Sequence, residues 1–374
     1  MNSSNKVPEI LRTGVGNARN VSKYVFGDGT LNKLEGLLED KKSSEDQYVI
    51  YYVDEYFTHN SKIVSKLPIS SNDELVFVST HTEPTTDYID NLVDDLLKSN
   101  KNNPCALVGI GGGITLDVAK AVSNLLTNGG QASQYQGWDL VKVPGIYKIG
   151  IPTLSGTGAE ATRTCVMTNK SNGLKLGMNS DHTVYDQLIL DPELTATVPR
   201  NQYFYTGMDA YIHCIEALSG MYRNAIGDSF SKEAVRLCRE VFFADDMMSD
   251  ESRRKMMVAS YLGGCAIAMS YVGVVHPFSA ALSVVFEMHH TVANCVTMRA
   301  MKDFYPKYHR EFWKMAEYQN VDIPIGIGAS LSDEAHNKLY EAMIIHEKPL
   351  TNALGRDFRS ILDRNQARLI FERM

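Results

Sequence analysis

The sequence has few cysteines and no extended basic patch, and each absence excludes a class of protein. Its 6 cysteines are widely separated and include no C-x-x-C pair, which argues against a disulfide framework and against a thiolate zinc cluster. The net charge is -7, and 253–255 is the only tight cationic cluster, so nucleic acid is not an expected partner. Free thiols favour a reducing compartment, and we expect a cytoplasmic protein.

Long apolar segments are also scarce. Residues 1–8 lack the apolar run of a secretory signal. One uncharged run, 256–286, is long enough to span a bilayer, but Pro277 would interrupt a single helix there. We therefore expect two buried helices that meet near His276, and no membrane segment.

The first half of the chain alternates β-branched runs with helical patterns, which is typical of a parallel α/β sheet. Buried strands are predicted at 48–53, 75–78, 106–110 and 149–152. From about Asp191 onward the strand signals fade and helical periodicity dominates. A chain of 374 residues is too long for one ordinary core. The sequence therefore predicts two domains, an α/β domain over 1–190 and a helical domain over 191–374.

A glycine-rich turn, 111–113, follows the third predicted strand and opens a helix. Glycines let the backbone approach a pyrophosphate, and the free amides and dipole of the helix start favour an anion. The spacing is not the G-x-G-x-x-G of the Rossmann fingerprint, so a simple tight turn is an equal alternative. The next polar loop, 153–160, either binds phosphate or carboxamide groups or caps a helix, with Thr157 at its start and Glu160 three residues on.

Asp54 ends the first strong strand, where an acidic side chain commonly accepts a hydrogen bond from a ribose hydroxyl. Its carboxylate would repel a 2′-phosphate, which favours NAD over NADP. An ordinary turn residue at the end of a strand is nearly as good an interpretation.

Four residues near the middle of the chain are spaced as one divalent metal site. Asp209 and His213 lie four apart on one face of a predicted helix, and His276 and His290 follow in an apolar stretch. Three nitrogens and one carboxylate suit ferrous iron or zinc. Taken alone, such histidines are more often hydrogen-bonded core residues.

Together these motifs resemble the iron-containing, or group III, alcohol dehydrogenases over most of the chain. The resemblance rests on 111–113 with Asp117 and Lys120, on the loop 156–160, and on the Asp209/His213 and His276/His290 pairs. It implies a dehydroquinate-synthase-like fold, in which a Rossmann-like parallel-sheet domain precedes an all-helical metal-binding domain. It also implies a divalent metal (Fe²⁺ or Zn²⁺), an NAD that can stay bound through turnover, and a homodimer. The metal would lower the pKa of an alcohol, and hydride would pass to the nicotinamide.

Carried over by position, the resemblance makes Asp209, His213, His276 and His290 the metal ligands. It implies that the cofactor is contacted by Asp54, Gly112, Gly113, Thr115, Thr153, Leu154, Thr157, Lys175 and Val198. His289 and Tyr271 are candidates for moving the proton, and either alternatively packs or caps.

The chain also departs from the family pattern. Ala280 stands where members commonly carry a second histidine, Ala159 replaces a serine and Thr291 replaces a glycine. These changes make a short-chain alcohol a less favoured substrate. The nearest subgroup resembles 3-deoxy-D-manno-octulosonate (Kdo) 8-oxidases, which form an aldehyde that a pyridoxal-phosphate aminotransferase converts to an 8-amino sugar of lipopolysaccharide. Arg163 is then a candidate cation for the sugar carboxylate, or else a surface salt bridge.

Three alternatives remain open at this point. One is an NAD-dependent small-alcohol dehydrogenase or aldehyde reductase. Another is a dehydroquinate-synthase-like lyase, although its phosphate-bearing substrates call for Lys and Arg near the metal and 265–286 is apolar. The third is a nucleotide- or sugar-binding protein without turnover.

Overall fold

The structure, a computed structural model, describes residue 10, residues 18–42, residue 44, residues 46–59 and residues 61–374. The segment 1–8 lies outside this part of the chain. Within it the strands are β1 (Lys23–Phe26), β2 (Val49–Asp54), β3 (Glu74–Val78), β4 (Ala106–Gly111), β5 (Gly137–Trp138), β6 (Lys148–Pro152), β7 (Thr164–Asn169), β8 (Leu174–Asn179) and β9 (Gln187–Leu190). The α-helices are α1 (Leu34–Glu39), α2 (Ser61–Val64), α3 (Thr86–Lys98), α4 (Gly113–Asn128), α5 (Arg200–Ala217), α6 (Ala225–Phe242), α7 (Asp250–Ser270), α8 (Val275–Phe286), α9 (His290–Thr297), α10 (Pro306–Tyr318), α11 (Asp333–Ile344), α12 (Glu347–Leu354), α13 (Phe358–Ile361) and α14 (Arg364–Phe371).

Six strands form one parallel sheet in the order β1-β9-β6-β4-β2-β3. Side chains alternate across it, because Ile50 and Tyr52 pack into one hydrophobic core and Val49 and Tyr51 into another. A strand buried on both faces needs apolar residues at nearly every position, and β2 and β4 have them. The predicted α/β class is confirmed, and the four predicted strands are β2, β3, β4 and β6.

A second, smaller sheet was not predicted. Strands β7 and β8 form an antiparallel hairpin, and the two-residue β5 pairs with β8. The turn of the hairpin is polar, and Asn169 accepts a hydrogen bond from the Ser171 amide at 3.0 Å. This sheet carries Trp138 and Lys175 to the edge of the cavity described below.

Helices make up the rest of the chain, and the described residues after Leu190 contain no β-strand. The uncharged run forms α7 and α8, which bend by 106° at a break of four residues, so the two expected helices are confirmed. Of the described residues, no single helix is long and apolar enough to cross a membrane; only this bent pair passes that test, by length and composition. A domain division at residue 190 stays a prediction.

The loop after β6 touches the helical region backbone to backbone. A Cβ on Gly156, whose φ is +151°, would lie 1.6 Å from the Thr206 carbonyl oxygen of α5. A Cβ on Gly158, whose φ is +63°, would lie 2.7 Å from the Cα of Gly264 in α7. Glycine at both positions therefore lets the loop meet the two helices directly.

Gly156→Ala should destabilise the protein by about 1–3 kcal/mol or more, since the added methyl group must displace the backbone of α5. Urea unfolding monitored by circular dichroism measures this. Gly36→Ala is the control, because Gly36 lies in α1 with no atom within 4 Å of its added Cβ. That variant should gain about 0.5–1 kcal/mol. Equal stability of the two variants would contradict the close approach.

Candidate active site

A cavity of about 810 Å³ is bordered by the carboxyl ends of β2, β4 and β6 and by α5, α8 and α9. Ligands of parallel α/β sheets bind at this end of the strands. Most of the expected cofactor residues border it: Asp54, Gly112, Gly113, Thr153, Leu154, Thr157, Lys175 and Val198. Thr115 is the exception, because its side chain is fully buried next to Gly111 and its hydroxyl has no hydrogen-bond partner.

The glycine turn forms a cradle at the start of α4. No side chain caps this helix at Gly112, and a Cβ there would lie 2.7 Å from Leu154 Cδ1. A Cβ on Gly113 would lie 3.2 Å from Thr157 Oγ1. The first-turn amides of α4 therefore stay open to the cavity, and this arrangement fits a pyrophosphate.

Asp54 caps a turn and lies at the cavity, so the structure agrees with the turn interpretation and leaves the ribose role a prediction. Its Oδ1 accepts hydrogen bonds from the Tyr56 amide at 3.0 Å and from the Thr80 hydroxyl at 3.2 Å, so it caps the turn after β2. It also borders the cavity. Burial raises the pKa of Asp54 even though these hydrogen bonds oppose the rise.

The idea that Thr157 and Glu160 cap a helix is wrong, because the loop runs through a turn into β7. Thr157 Oγ1 accepts from the Ala159 amide at 3.3 Å, whereas Glu160 points away and accepts from the Ser260 hydroxyl at 2.7 Å. The loop is held instead by the fully buried ammonium of Lys120, which donates to three carbonyl oxygens. These belong to Ala159, Thr162 and Thr164.

The four residues predicted as metal ligands come together at the helical side of the cavity. Asp209 Oδ1 lies 3.4 Å from His213 Nε2 and 3.4 Å from His276 Nε2. Asp209 Oδ2 lies 3.7 Å from His290 Nε2. The potential ligand atoms of Asp209, His276 and His290 all lie within 4.8 Å of one another, while the His213 ring stacks on His276 with centroids 4.7 Å apart.

The donor set fits a metal ion. Asp209 is completely buried. Its Oδ1 accepts from Asn294 Nδ2 at 2.7 Å, whereas its Oδ2 has no hydrogen-bond partner among the described residues. A buried carboxylate oxygen without a donor needs a nearby positive charge. Burial lowers the pKa of His213 to about 4 and that of His290 to about 3, which keeps both rings in the neutral form that binds metals.

Glu216 supports this cluster and was missed in the sequence. It lies seven residues after Asp209, on the same face of α5, and this i, i+4, i+7 spacing with His213 was the available signal. Its Oε2 lies 2.5 Å from His276 Nδ1, and its Oε1 accepts from the Val275 amide at 2.6 Å. Burial opposes protonation of His276, but the carboxylates of Glu216 and Asp209 outweigh it and raise its pKa to about 9. Glu216 thus fixes the orientation of that ring.

Glu83 is a second residue that the sequence did not reveal. Its Oε1 accepts from the His290 amide at 3.1 Å and pairs with Lys175 Nζ at 3.2 Å. It therefore ties the loop after β3 to β8 and to the first residue of α9. Burial tends to raise the pKa of Glu83, but Lys175 and His290 outweigh it and lower the value.

The two candidate proton carriers differ in exposure. His289 is exposed at the start of α9 and borders the cavity. Tyr271 is half-buried, with its ring against Trp138 and Tyr222, and burial raises the pKa of its hydroxyl. Tyr271 therefore stays protonated near neutral pH, and its hydroxyl suits hydrogen bonding better than proton uptake.

Arg163 also borders the cavity, but its charge is already paired. Its Nη2 lies 2.5 Å from Asp139 Oδ1 and 3.0 Å from Asp181 Oδ1. The salt bridge considered as an alternative for this residue therefore exists.

A glycine cradle and a carboxylate–imidazole cluster in one cavity define the class of metal- and dinucleotide-dependent enzymes. The family comparisons are specific. The model described as "Iron-containing alcohol dehydrogenase" matches residues 21–192, and "Fe-containing alcohol dehydrogenase family, C-terminal" matches residues 203–343. The chain belongs to the iron-containing alcohol dehydrogenase family. The iron in the description of this family agrees with the metal expected from the sequence.

Similar proteins include the NAD-dependent methanol dehydrogenase of Bacillus methanolicus, 32% identical over 60% of this chain and 59% of the relative. The sulfoacetaldehyde reductase of Bilophila wadsworthia is 32% identical over 58% of this chain and 56% of its own length. The aligned region thus spans less than two thirds of either relative.

Among solved structures, the alcohol dehydrogenase from Oenococcus oeni has a TM-score of 0.81 at 19% identity, over 95% of this chain and 98% of the other. The sulfoacetaldehyde reductase from Bifidobacterium kashiwanohense, in complex with NAD+, has a TM-score of 0.76 at 20% identity over 96% and 98%. At these low sequence identities, both similarities show the fold alone.

Asp117 is a largely buried acid beside the cradle, and it makes stability depend on pH. Its Oδ2 accepts from the Val166 amide at 2.8 Å, and Lys120 Nζ lies 4.0 Å from its Oδ1. Burial raises the pKa of Asp117 to about 7, against the opposing effect of Lys120. Because the folded value exceeds the unfolded one, folding favours the protonated acid, and this contribution is lost as pH rises from about 4 to about 7.

Asp117→Asn should therefore gain stability relative to the wild type as pH rises through this window, by up to about 4 kcal/mol. Urea unfolding at several pH values between 4 and 8 measures the difference. Asp94→Asn, at an exposed position of α3, serves as the control and should show a much flatter difference. A pH-independent difference for Asp117→Asn would show that the acid is ionised throughout.

Proposed function

We propose that this chain is a metal-dependent oxidoreductase that uses NAD to oxidise a primary alcohol to an aldehyde. The observation that carries the proposal is the convergence of Asp209 and three imidazoles in the cavity that also contains the glycine cradle. Four such side chains around a buried, unsatisfied carboxylate oxygen are costly as mere structure.

In this proposal Asp209, His213, His276 and His290 hold Fe²⁺ or Zn²⁺, and the amides of Gly112 and Gly113 hold the pyrophosphate of NAD. When bound, the metal supplies Lewis acidity that makes the alcohol more acidic, and NAD accepts the hydride. The chain supplies orientation: Glu216 fixes the His276 ring, and Asn294 directs one oxygen of Asp209.

The proton released from the alcohol must reach solvent. His289 supports this step better than Tyr271, because it is exposed at the cavity rim, where it can exchange a proton with solvent. Tyr271 would contribute a hydrogen bond.

For the substrate we propose a sugar acid, with C8 of Kdo as the specific case. Ala280 borders the cavity one turn after His276, where its small side chain leaves room for a polyhydroxylated chain. The aldehyde formed would suit a pyridoxal-phosphate aminotransferase acting next. A cytoplasmic homodimer belongs to the same proposal, and the free thiols of all 6 cysteines are consistent with that location.

A conventional small-alcohol dehydrogenase is the second candidate. It is favoured by relatives such as the methanol dehydrogenase and the 1-propanol dehydrogenase of Salmonella typhimurium, which is 27% identical over 72% of this chain and 70% of its own length. The ratio of kcat/KM for Kdo to that for 1-propanol separates the two candidates.

Elemental analysis of anaerobically purified protein should find about one iron or zinc per wild-type chain and none in His276→Ala. The same variant should lose NADH formation, because three ligands hold the ion more weakly than four. His309→Ala is the control, since that ring accepts from Trp313 Nε1 outside the cavity. Equal metal in wild type and His276→Ala would remove the ligand assignment.

A second variant tests the ligand assignment without removing a proposed ligand, so that misfolding is a less plausible cause of metal loss. Glu216→Gln leaves all four ligands but weakens the support of His276, so metal affinity should fall by about 10- to 100-fold in competition with a chelator.

Asp54→Asn should shift coenzyme preference toward NADP by about tenfold in kcat/KM, because asparagine keeps the hydrogen-bond acceptor but removes the charge that repels a 2′-phosphate. Steady-state kinetics with both coenzymes measures the shift. Glu55→Gln is the matched control, since the neighbouring Glu55 accepts from the Thr80 amide and does not border the cavity. An unchanged preference in Asp54→Asn would disprove the ribose role.

A further inference from the structure

Beyond the Asp209–histidine cluster and the exposed His289, four basic side chains border the cavity, and three of them are paired or neutral. Arg163 is paired with Asp139 and Asp181. Lys175 is paired with Glu83. His346 is only partly exposed, and the loss of water around its ring lowers its pKa to about 4, so that ring is neutral at pH 7.

Lys348 is the exception. Within the described part of the chain its ammonium makes no ion pair with a carboxylate, and the adjacent Glu347 turns instead to Arg359, at 2.8 Å. Lys348 Nζ lies 3.4 Å from the centroid of the Trp138 ring and 5.6 Å from that of Tyr271. All three residues border the same cavity as the metal cluster.

An indole face attracts a cation but leaves its net charge in place. The ring holds the ammonium on one side, and the Trp138 ring is itself fixed by its edge-to-face contact with Tyr271 at 5.3 Å. The position of the charge is thus defined before any ligand binds, which lowers the cost of binding an anion there. Partial burial lowers the pKa of Lys348; the charge of Asp139 opposes this shift, and the charge of Arg163 adds to it.

We infer that Lys348, held over Trp138, binds the carboxylate of the substrate and makes the enzyme select hydroxy acids over neutral alcohols. This inference rests on the proposed function and names the residue that sets its substrate class. It moves the carboxylate-binding role from Arg163, whose charge is already compensated, to a cation that makes no ion pair with any carboxylate of the described residues. Arg163 then acts indirectly, because it neutralises two aspartates that would otherwise repel the anion.

The test compares Kdo with its methyl ester, which has the same hydroxyl groups but no charge. The wild type should prefer the acid, and Lys348→Met should lower the acid-to-ester ratio of kcat/KM by at least about tenfold, mainly through a higher KM for the acid. Lys338→Met removes an exposed lysine that pairs with Glu334 outside the cavity, so it should keep the wild-type ratio. An unchanged ratio in Lys348→Met would overturn the inference.

A binding measurement separates failure of this inference from failure of the proposed function. The chain has 2 tryptophans, so Trp313→Phe leaves Trp138 as the sole reporter, in contact with Lys348. In that background, Kdo should cause a saturable change in fluorescence that the ester does not, and Lys348→Met should abolish it. Saturable binding without turnover would disprove the oxidoreductase proposal but support the carboxylate site. Turnover of acid and ester with equal efficiency would support the oxidoreductase proposal but disprove the carboxylate site. Absence of both binding and turnover would disprove both the oxidoreductase proposal and the carboxylate site.

Discussion

The buried carboxylate of Asp209 is the constraint on which the site depends. It has no contact with water, one oxygen is held by Asn294, and the other has no donor. A charge in that position is tolerated only beside compensating positive charge. The three imidazoles do not supply enough of it. Burial keeps His213 and His290 neutral, and His276, whose pKa is raised to about 9, shares its one positive charge between Asp209 and Glu216. The cluster therefore makes physical sense as the shell of a cation.

That shell requires close packing between the sheet and the helices. Asp209 lies in the middle of α5, and the backbone of α5 touches the loop after β6 at Gly156. The same loop is fastened from the other side by the buried ammonium of Lys120, which is saturated by backbone carbonyls. Both contacts involve backbone atoms. The distance between the glycine cradle and the Asp209–histidine cluster therefore depends little on side-chain rotamers. A hydride transfer needs such a fixed separation.

The sequence predicts the parallel sheet well, because strands buried on both faces are continuous apolar runs such as β2 and β4. It does not predict the β7–β8 hairpin, whose half-exposed strands mix Thr, Lys and Asn with apolar residues. The proposed ligands were found because they carry rare, chemically distinct side chains. Glu216, Glu83 and Asn294 were missed, since a carboxylate or amide becomes informative only when its partner across the fold is known. The helix-cap interpretation of Thr157 failed for a related reason: the loop there follows tertiary contacts to α5 and α7 rather than local propensity.

The charges of the cavity form a consistent arrangement. The Asp209 carboxylate favours a cation at the helical side, while the uncapped start of α4 favours the negative pyrophosphate. The charges of Glu83 and Lys175 neutralise each other in an ion pair beside His290. Among the described residues, Lys348 is the lysine of the cavity that makes no ion pair; it lies beside an aromatic pair. A neutral alcohol would leave that ammonium without a partner in a partly desolvated place, whereas an anionic substrate would satisfy it. The departures from the family pattern act in the same direction, because Ala280 enlarges the space next to His276 in which such a substrate must fit. Substrate choice in this chain is therefore best understood as a matter of charge balance and room within one cavity, with the reaction itself governed by the metal cluster.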